Sequence, residues 1–136
     1  MFQRSRLLII AALTLFSVSK SFANTATLSN WAFTDQIVDS NPVNELTMSQ
    51  MSKKDIYIYT RWEELDITFY EVEAIIYDGD NNLVGYSTYG FKPDKASWDS
   101  WTRYHFRPSI DQPGEWRFVV KLNGSKVLDE KIYVEE

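Results

Sequence analysis

Cysteine is absent from all 136 residues, and histidine occurs once, as His105. Without cysteine the chain forms no disulfide, has no thiol nucleophile and lacks the lipid-modified cysteine of a bacterial lipoprotein. One histidine and three methionines also supply too few nitrogen and sulfur ligands for a zinc or copper site. We therefore expect no metal site of these kinds and no cofactor.

Long hydrophobic runs are also scarce. The longest uncharged apolar run, residues 7–18, is shorter than the roughly 20 residues that a membrane-spanning helix needs. It follows Arg4 and Arg6, and small residues stand three and one positions before a cut after Ala23. This pattern predicts a signal peptide over residues 1–23, a periplasmic or secreted product, and no stable membrane anchor after cleavage.

Positive charge is in short supply once that segment is removed. The remaining residues 24–136 keep 11 basic against 19 acidic side chains, a net charge of about −8. Such a surface repels phosphate backbones, so we expect no nucleic-acid partner. The 113 residues that remain predict a single domain, large enough to bury one core without disulfides or a structural metal.

What is present is a period-two hydrophobic pattern, which predicts strands rather than helices. The clearest case is residues 116–122, where Trp116, Phe118 and Val120 alternate with polar or smaller side chains. Asn123-Gly124 then predicts a tight type I′ turn into residues 127–134. The other predicted strands are 25–33, 55–62, 68–77, 83–91 and 101–107, while 39–54 is unassigned.

Six or seven antiparallel strands with turn signals every 8 to 12 residues predict an all-β, immunoglobulin-like sandwich. A closed barrel is the alternative. Residues 92–97 break the pattern, and we expect them to carry the chain from one sheet to the other.

Several short motifs occur in a recognisable order along residues 24–136. They are Asp39-Ser40-Asn41-Pro42, Tyr57-Ile58-Tyr59-Thr60, Trp98 and Trp101 around a serine, Gly114-Glu115-Trp116, Asn123-Gly124, Val127-Leu128 and Tyr133-Val134. In this order the chain resembles a bacterial family of small extracytoplasmic β-sandwich domains of unknown function. The resemblance implies the fold and leaves the activity unnamed. The chain departs from that family where Glu73-Ala74-Ile75-Ile76-Tyr77 replaces a His-x-Trp pair.

The residues that could act in catalysis form no convincing catalytic arrangement in the sequence. His105 is predicted to face outward beside Arg103 and Arg107, two cations that disfavour its protonation and make it a poor base. Glu71 and Glu73 lie about 7 Å apart on one strand face, a separation compatible with inverting glycosidases but forced on any such pair. We expect these two carboxylates to pair with Arg103, Arg107 or Lys121 across strands instead.

The acidic turn Asp78-Gly79-Asp80-Asn81-Asn82 offers several oxygen ligands for calcium. It lacks the distal bidentate glutamate and the glycine position of a calcium loop. A plain hairpin turn is the favoured interpretation, with weak calcium binding as the alternative.

Aromatic residues make up 15% of the chain, and this abundance is the main functional signal. A ligand-binding patch is predicted from aromatic side chains on two neighbouring segments, joined by one arginine, and further polar groups would surround it. The patch residues are Trp98, Trp101, Tyr104, Tyr89, Phe91 and Arg103, with Asp94, Lys95 and Asp99 as the polar groups.

Two further interaction surfaces are conceivable, an outer patch of Tyr57, Tyr59 and Phe69, and a free edge strand that could receive a partner strand. The sequence as a whole predicts a non-enzymatic exported module that binds a protein or a cell-envelope glycan. A structural or accessory protein without a ligand pocket, and then a polysaccharide-acting enzyme, are the alternatives.

Overall fold

A computed structural model describes residues 25–136, so the predicted signal peptide at residues 1–23 lies outside the described residues. Within the described part, no helix has the length and hydrophobicity needed to cross a membrane. The strands are β1 (Thr27–Thr34), β2 (Ile37–Val38), β3 (Asn41–Pro42), β4 (Met48–Gln50), β5 (Asp55–Glu63), β6 (Tyr70–Tyr77), β7 (Leu83–Phe91), β8 (Trp98–His105), β9 (Gly114–Leu122) and β10 (Ser125–Glu135). A 3-10 turn at Met51–Lys53 joins β4 to β5.

The strands form two main sheets with a shared core. One sheet has the order β1-β5-β8 and the other β4-β10-β9-β6-β7, while β2 and β3 form a separate small hairpin. Seven long strands in two open sheets confirm the predicted immunoglobulin-like sandwich. The barrel alternative is wrong, because both sheets end in edge strands and do not close.

Two details of the prediction need correction. The unassigned stretch 39–54 supplies β3, β4 and the 3-10 turn, and β4 pairs with β10 in parallel, from Met48 opposite Tyr133 to Gln50 opposite Glu135. The sandwich is therefore not purely antiparallel. Strand β8 also begins earlier than predicted, because Trp98 pairs directly opposite Trp62 of β5.

The core forms from the inward faces of alternating strands. Trp62 and Trp116 are completely buried, and Phe118, Val120 and Leu122 follow Trp116 on the same face of β9. Removing a buried tryptophan of this kind typically costs about 3–5 kcal/mol, so these two side chains anchor the two sheets against each other.

Two connections fix the ends of the larger sheet. Asn123 and Gly124 have φ values of 48° and 81°, which confirms the predicted type I′ turn between β9 and β10. The Asp78 carboxylate accepts the backbone N–H groups of Asp80, Asn82 and Gln112 at 3.0, 3.0 and 3.1 Å. Asp78 thereby ties the β6–β7 turn to the loop that precedes β9.

Candidate binding site

The predicted aromatic patch is divided by the alternation of β8. Trp98 and Tyr104 point toward the core, and Trp101 and Arg103 point outward. Tyr104 is 8% exposed and Phe91 is 7% exposed, so both belong to the core. The prediction that all six residues share one accessible surface is wrong for these two.

The hydroxyl groups of the inward tyrosines have structural partners. Tyr104 donates its hydroxyl to both oxygens of the buried Asp111 carboxylate, at 2.9 and 2.8 Å. Burial, together with the Asp111 carboxylate, raises the pKa of Tyr104 to about 12. Tyr89 is half-buried over β8, where its hydroxyl meets Ser100 and Thr102, and burial raises the pKa of Tyr89.

Trp98 occupies an intermediate position between core and surface. Its ring stacks on Phe91 with the centroids 5.3 Å apart and the planes 4° from parallel. The half-buried indole also lines a cavity of about 190 Å³ together with Ser40, Lys95, Ser97 and Asp99. Because Phe91 holds the ring in a fixed orientation, the indole enters this cavity as a rigid wall.

Asp99 is the acidic member of the cavity, and its carboxylate has a fixed orientation. Arg61 Nη1 lies 3.0 Å from one carboxylate oxygen and 3.2 Å from the other, and the Tyr59 hydroxyl donates to the first. Burial of Tyr59, followed by its bond to Asp99, raises the pKa of Tyr59 to about 12. The same carboxylate raises the pKa of Arg61. A polar ligand group in the cavity would therefore meet an already oriented acceptor.

The outward face of β8 continues from the cavity with Trp101 and Arg103. Trp101 is 39% exposed, and Arg103 is exposed directly opposite Tyr57 of β5. In the part of the chain that the structure describes, the other three arginines each contact a carboxylate, whereas Arg103 has no ion-pair partner. An exposed indole beside an unpaired guanidinium is a composition typical of recognition surfaces.

The second predicted patch of Tyr57, Tyr59 and Phe69 does not exist as one surface. Tyr59 is only 3% exposed, and its hydroxyl is bonded to Asp99. Phe69 lies just before β6, in the other sheet, and is 64% exposed. The prediction failed because alternation along one strand says nothing about which sheet the next strand joins.

The environment of His105 differs from the predicted one. Its Nδ1 lies 2.9 Å from an Asp55 carboxylate oxygen, so its immediate neighbour is an acid and not a pair of cations. The Arg107 guanidinium turns away to contact Asp111 at 3.2 Å. The side chain of His105 is 65% exposed, which makes the contact an ordinary surface pair.

The predicted ion pairs of Glu71 and Glu73 with Arg103 or Arg107 are also wrong. Both glutamates lie on β6 in the five-stranded sheet, whereas Arg103 lies on β8 in the other sheet. Glu73 pairs in register with Lys121, and its carboxylate accepts the Tyr86 hydroxyl at 2.9 Å. Neither carboxylate lines the cavity of Trp98 or the cavity beside the Asp78–Asn82 turn.

The Asp78–Asn82 turn has its central oxygens occupied. Both carboxylate oxygens of Asp78 accept N–H groups. Burial by itself would raise the pKa of Asp78, but the hydrogen bonds from Asn82 and Gln112 outweigh it, so that the pKa is lowered. Within residues 25–136, no three or more acidic, histidine or cysteine side chains cluster around a point that could hold a metal. The turn geometry agrees with the hairpin interpretation.

A larger cavity of about 630 Å³ lies beside this turn, on the outer face of β9 and β10. Its charged walls are paired with each other, Arg117 with Asp129 at 2.7 Å and Lys131 with Glu115 at 3.2 Å. The smaller cavity is the stronger candidate site because Trp98 gives it an aromatic wall, whereas none of the described residues that line the larger cavity is aromatic.

Sequence reasoning found three of the five cavity residues, Trp98, Lys95 and Asp99, and missed Ser40 and Ser97. Ser40 reaches the cavity from the turn between β2 and β3, where Asp39 and Ser40 have φ values of 51° and 62°. The turn-forming residues around Ser40 predict a tight turn from the sequence alone. The meeting of that turn with residues 95–99 is a long-range contact that no local pattern encodes.

Comparisons with known proteins support the fold and no more. No family model and no curated protein matches the chain. Among solved structures, the chain is similar to the Pseudomonas fluorescens alkylpurine DNA glycosylase AlkC bound to DNA containing an abasic site analog, with 11% identity and a TM-score of 0.54. The match covers 82% of this chain and 30% of the glycosylase chain, so this chain spans about a third of that protein.

The CARDB domain of the PF1109 protein from Pyrococcus furiosus, solved in complex with di-metal ions, is similar over 82% of this chain and 98% of that chain, with 10% identity and a TM-score of 0.45. Identities this low carry no activity from one protein to another. The fold defines an immunoglobulin-like β-sandwich domain, and the resemblance to the extracytoplasmic family stays a prediction.

Proposed function

We propose that this chain is an exported, non-enzymatic binding module that recognises a cell-envelope glycan in the cavity beside Trp98. The observation that carries the proposal is the combination of a rigid indole and an oriented carboxylate around one small cavity. Sugar rings bind by laying an apolar face on an aromatic ring while their hydroxyls bond to neighbouring polar groups. Trp98 supplies the ring, and Asp99, Lys95 and two serines supply the polar groups.

The size of the cavity limits the ligand. About 190 Å³ is below the roughly 300–1,000 Å³ typical of sites for drug-sized molecules, so the cavity suits one sugar residue of a longer chain. The remaining sugars would extend over the outward face of β8, where Trp101 and Arg103 are exposed. The presence of one carboxylate in the cavity supports binding over hydrolysis, because glycosidases place two carboxylates around the bond they cleave.

A titration of tryptophan fluorescence with neutral and anionic envelope-glycan fragments tests the proposal. Trp98→Phe keeps an aromatic ring on Phe91 but shortens the wall of the cavity, and we expect it to raise Kd about tenfold, equivalent to about 1.4 kcal/mol. Trp31→Phe is the matched control, because Trp31 contacts Phe33 and is not part of the cavity. Its Kd should equal that of the wild type. No spectral change with any glycan, or unchanged affinity in Trp98→Phe, would refute the glycan proposal.

A protein partner is the second candidate, and the exposed pair Trp101 and Arg103 favours it. Tryptophan and arginine are enriched among the residues that dominate protein interfaces. Trp101→Ala should then abolish binding to a purified partner from periplasmic extract, and Trp98→Phe should leave it unchanged. The opposite pattern would assign the binding to the cavity.

A further inference from the structure

Strand β7 is an unprotected sheet edge. It is the outermost strand of the five-stranded sheet, and its nine residues, from Leu83 to Phe91, include no charge and no proline. Natural edge strands are usually blocked by charges, prolines, bulges or short length, because their free backbone groups can pair with another chain. In β7 the one bulge lies near the start of the strand, opposite Ile76 and Tyr77, so the stretch from Tyr86 to Gly90 has no such block and calls for a partner.

The other edge strands of residues 25–136 carry these protections. Strand β4 has three residues, and β8 carries Asp99, Arg103 and His105. Strand β1 is irregular near Asn30, and at its far end the N–H of Leu46 donates to the Phe33 carbonyl. Of the four edges of the two main sheets, β1 and β7 are both long and uncharged, and each has one bulge. They differ in cover, because Leu46 pairs with the end of β1, whereas Tyr86 to Gly90 of β7 face the open side of the sheet.

The direction of the backbone groups follows from Glu71 on the neighbouring strand. Its N–H donates to Asn123 Oδ1 at 2.9 Å, and its carbonyl accepts the Asn123 N–H at 2.8 Å. Both groups of Glu71 therefore point away from β7. The direction of these groups alternates from one residue of a strand to the next. Val72, and then every second residue of β6 after it, therefore points its N–H and C=O groups toward β7.

The same alternation identifies the free groups of β7. Val72, Ala74 and Ile76 pair with Tyr89, Ser87 and Gly85, which turn their N–H and C=O groups toward β6. The residues between them must turn theirs to the open side. The N–H and C=O groups of Tyr86, Thr88 and Gly90 thus form a row of six polar groups along the edge.

We propose that a second copy of this chain pairs with β7 in antiparallel orientation, about a two-fold axis at Thr88. Thr88 would then lie opposite Thr88 of the other copy, and Tyr86 opposite Gly90. In this register every free group finds a donor or acceptor on an identical strand, which gives six hydrogen bonds and one continuous ten-stranded sheet. The pairing uses the backbone of Tyr86 to Gly90, whereas the proposed glycan site lies at the start of β8, where Trp98 stacks on Phe91.

The side chains on the outer face agree with this register. Phe69 lies over Gly90, at the position where a Cβ atom of residue 90 would stand. Phe69 and Tyr86 are 64% and 60% exposed. Pairing about Thr88 would bring Tyr86 of one copy beside Gly90 and Phe69 of the other, and would create two aromatic contacts related by the axis.

Charge explains why a second copy suits the edge. With no charged side chain in β7, identical strands place no like charges opposite each other. Arg107 reaches this edge, where it bonds to the Val84 carbonyl, and it is already paired with Asp111. The net charge of each copy, about −8 for residues 24–136, makes two copies repel each other at long range, so salt should strengthen the dimer.

The size of the interface limits its strength. A single strand pair buries less than the roughly 1,200 Å² of a stable interface, and we expect weak, reversible association.

Sedimentation equilibrium over a concentration series, at low and high salt, measures the dimer directly. Thr88→Pro removes a donor on the open side and leaves the β6 ladder intact, so it should stay monomeric at concentrations where the wild type is dimeric. Tyr133→Lys is the control, because it adds a charge to the same sheet face away from β7, and it should dimerise like the wild type apart from a small electrostatic effect. A wild type that stays monomeric at every concentration and salt level overturns the proposal.

Charge pairing at residue 88 tests the axis itself. Thr88→Lys and Thr88→Glu each place two like charges opposite one another, and each should raise Kd roughly fivefold. An equimolar mixture of the two variants should recover the affinity of the wild type, because a lysine on one copy would then face a glutamate on the other. A mixture that associates no better than either variant alone would refute pairing about Thr88, even if dimers form by another surface.

Discussion

Asp78→Ala should be one of the most damaging polar substitutions in the domain. The Asp78 side chain is 2% exposed and accepts three backbone N–H groups, of which that of Gln112 links the two turns. A hydrogen bond to a charged group contributes about 1.5–3 kcal/mol, and water can replace part of this at the exposed residues Asp80 and Asn82. We expect a net loss of about 2–4 kcal/mol, well above the effect of an ordinary surface substitution.

Urea unfolding followed by tryptophan fluorescence measures this loss. With an m value of about 1–3 kcal/mol per molar, the midpoint should fall by roughly 1–2 M while m stays unchanged. Asp80→Ala is the matched control in the same turn, and it should cost less than about 0.5 kcal/mol because its side chain is exposed. An Asp78→Ala midpoint equal to that of the control would refute the role assigned to this carboxylate.

The calcium alternative has a distinct result in the same assay. If the turn only fixes the chain, millimolar calcium leaves the wild-type midpoint unchanged. If calcium raises the wild-type midpoint and has no effect on Asp78→Ala, the turn is a cation site and the hairpin interpretation is wrong.

Three further expectations concern the titrating groups. Tyr104→Phe removes the hydroxyl that donates to buried Asp111 and should cost about 1–3 kcal/mol in urea unfolding, whereas Tyr86→Phe, at an exposed hydroxyl, should cost far less. Because the pKa of Tyr104 is raised to about 12, its contribution is present below the ordinary tyrosine pKa near 10 and is lost as the pH rises toward 12. Absorbance at 295 nm should show late ionisation of both Tyr104 and Tyr59 in the wild type, and Tyr104→Phe should remove the Tyr104 part of that amplitude and keep the Tyr59 part; a titration with every tyrosine near pH 10 would contradict it. The bonds from Arg117 lower the pKa of Asp129, so its contribution is present above about pH 4 and is lost as the pH falls further, and Asp129→Asn should flatten the acid side of the stability curve.

The regular part of the fold could be predicted because local pattern and tertiary burial agree there. In β9, alternation alone identifies the buried face of Trp116, Phe118 and Val120, and Asn123-Gly124 defines the following turn. Strand β4 could not be predicted in the same way. Its three residues carry no periodicity, and their partners at Tyr133–Glu135 are 85 positions away along the chain.

The candidate site was predictable in its residues more than in its geometry. The same period-two rule, applied from Trp98 through β8, separates Trp98 and Tyr104 from Trp101, and would have divided the aromatic patch correctly. The prediction started the strand at Trp101 and left Trp98 in a loop. The contribution of Ser40 depends on how the β2–β3 hairpin packs, which is a tertiary contact and not a local signal.

The position of β10 has a consequence for how the chain reaches its native state. This final strand lies between β4 and β9, and it contributes Leu128, Ile132 and Val134 to the core. The larger sheet therefore lacks its second strand, and β4 has no strand to pair with, until residues 125–135 emerge from the ribosome. A nascent chain that stops before Ser125 cannot close its core, and contacts this distant in sequence form slowly. The stabilisation that comes from a complete core is therefore gained only after almost all of the residues of the domain have been synthesised.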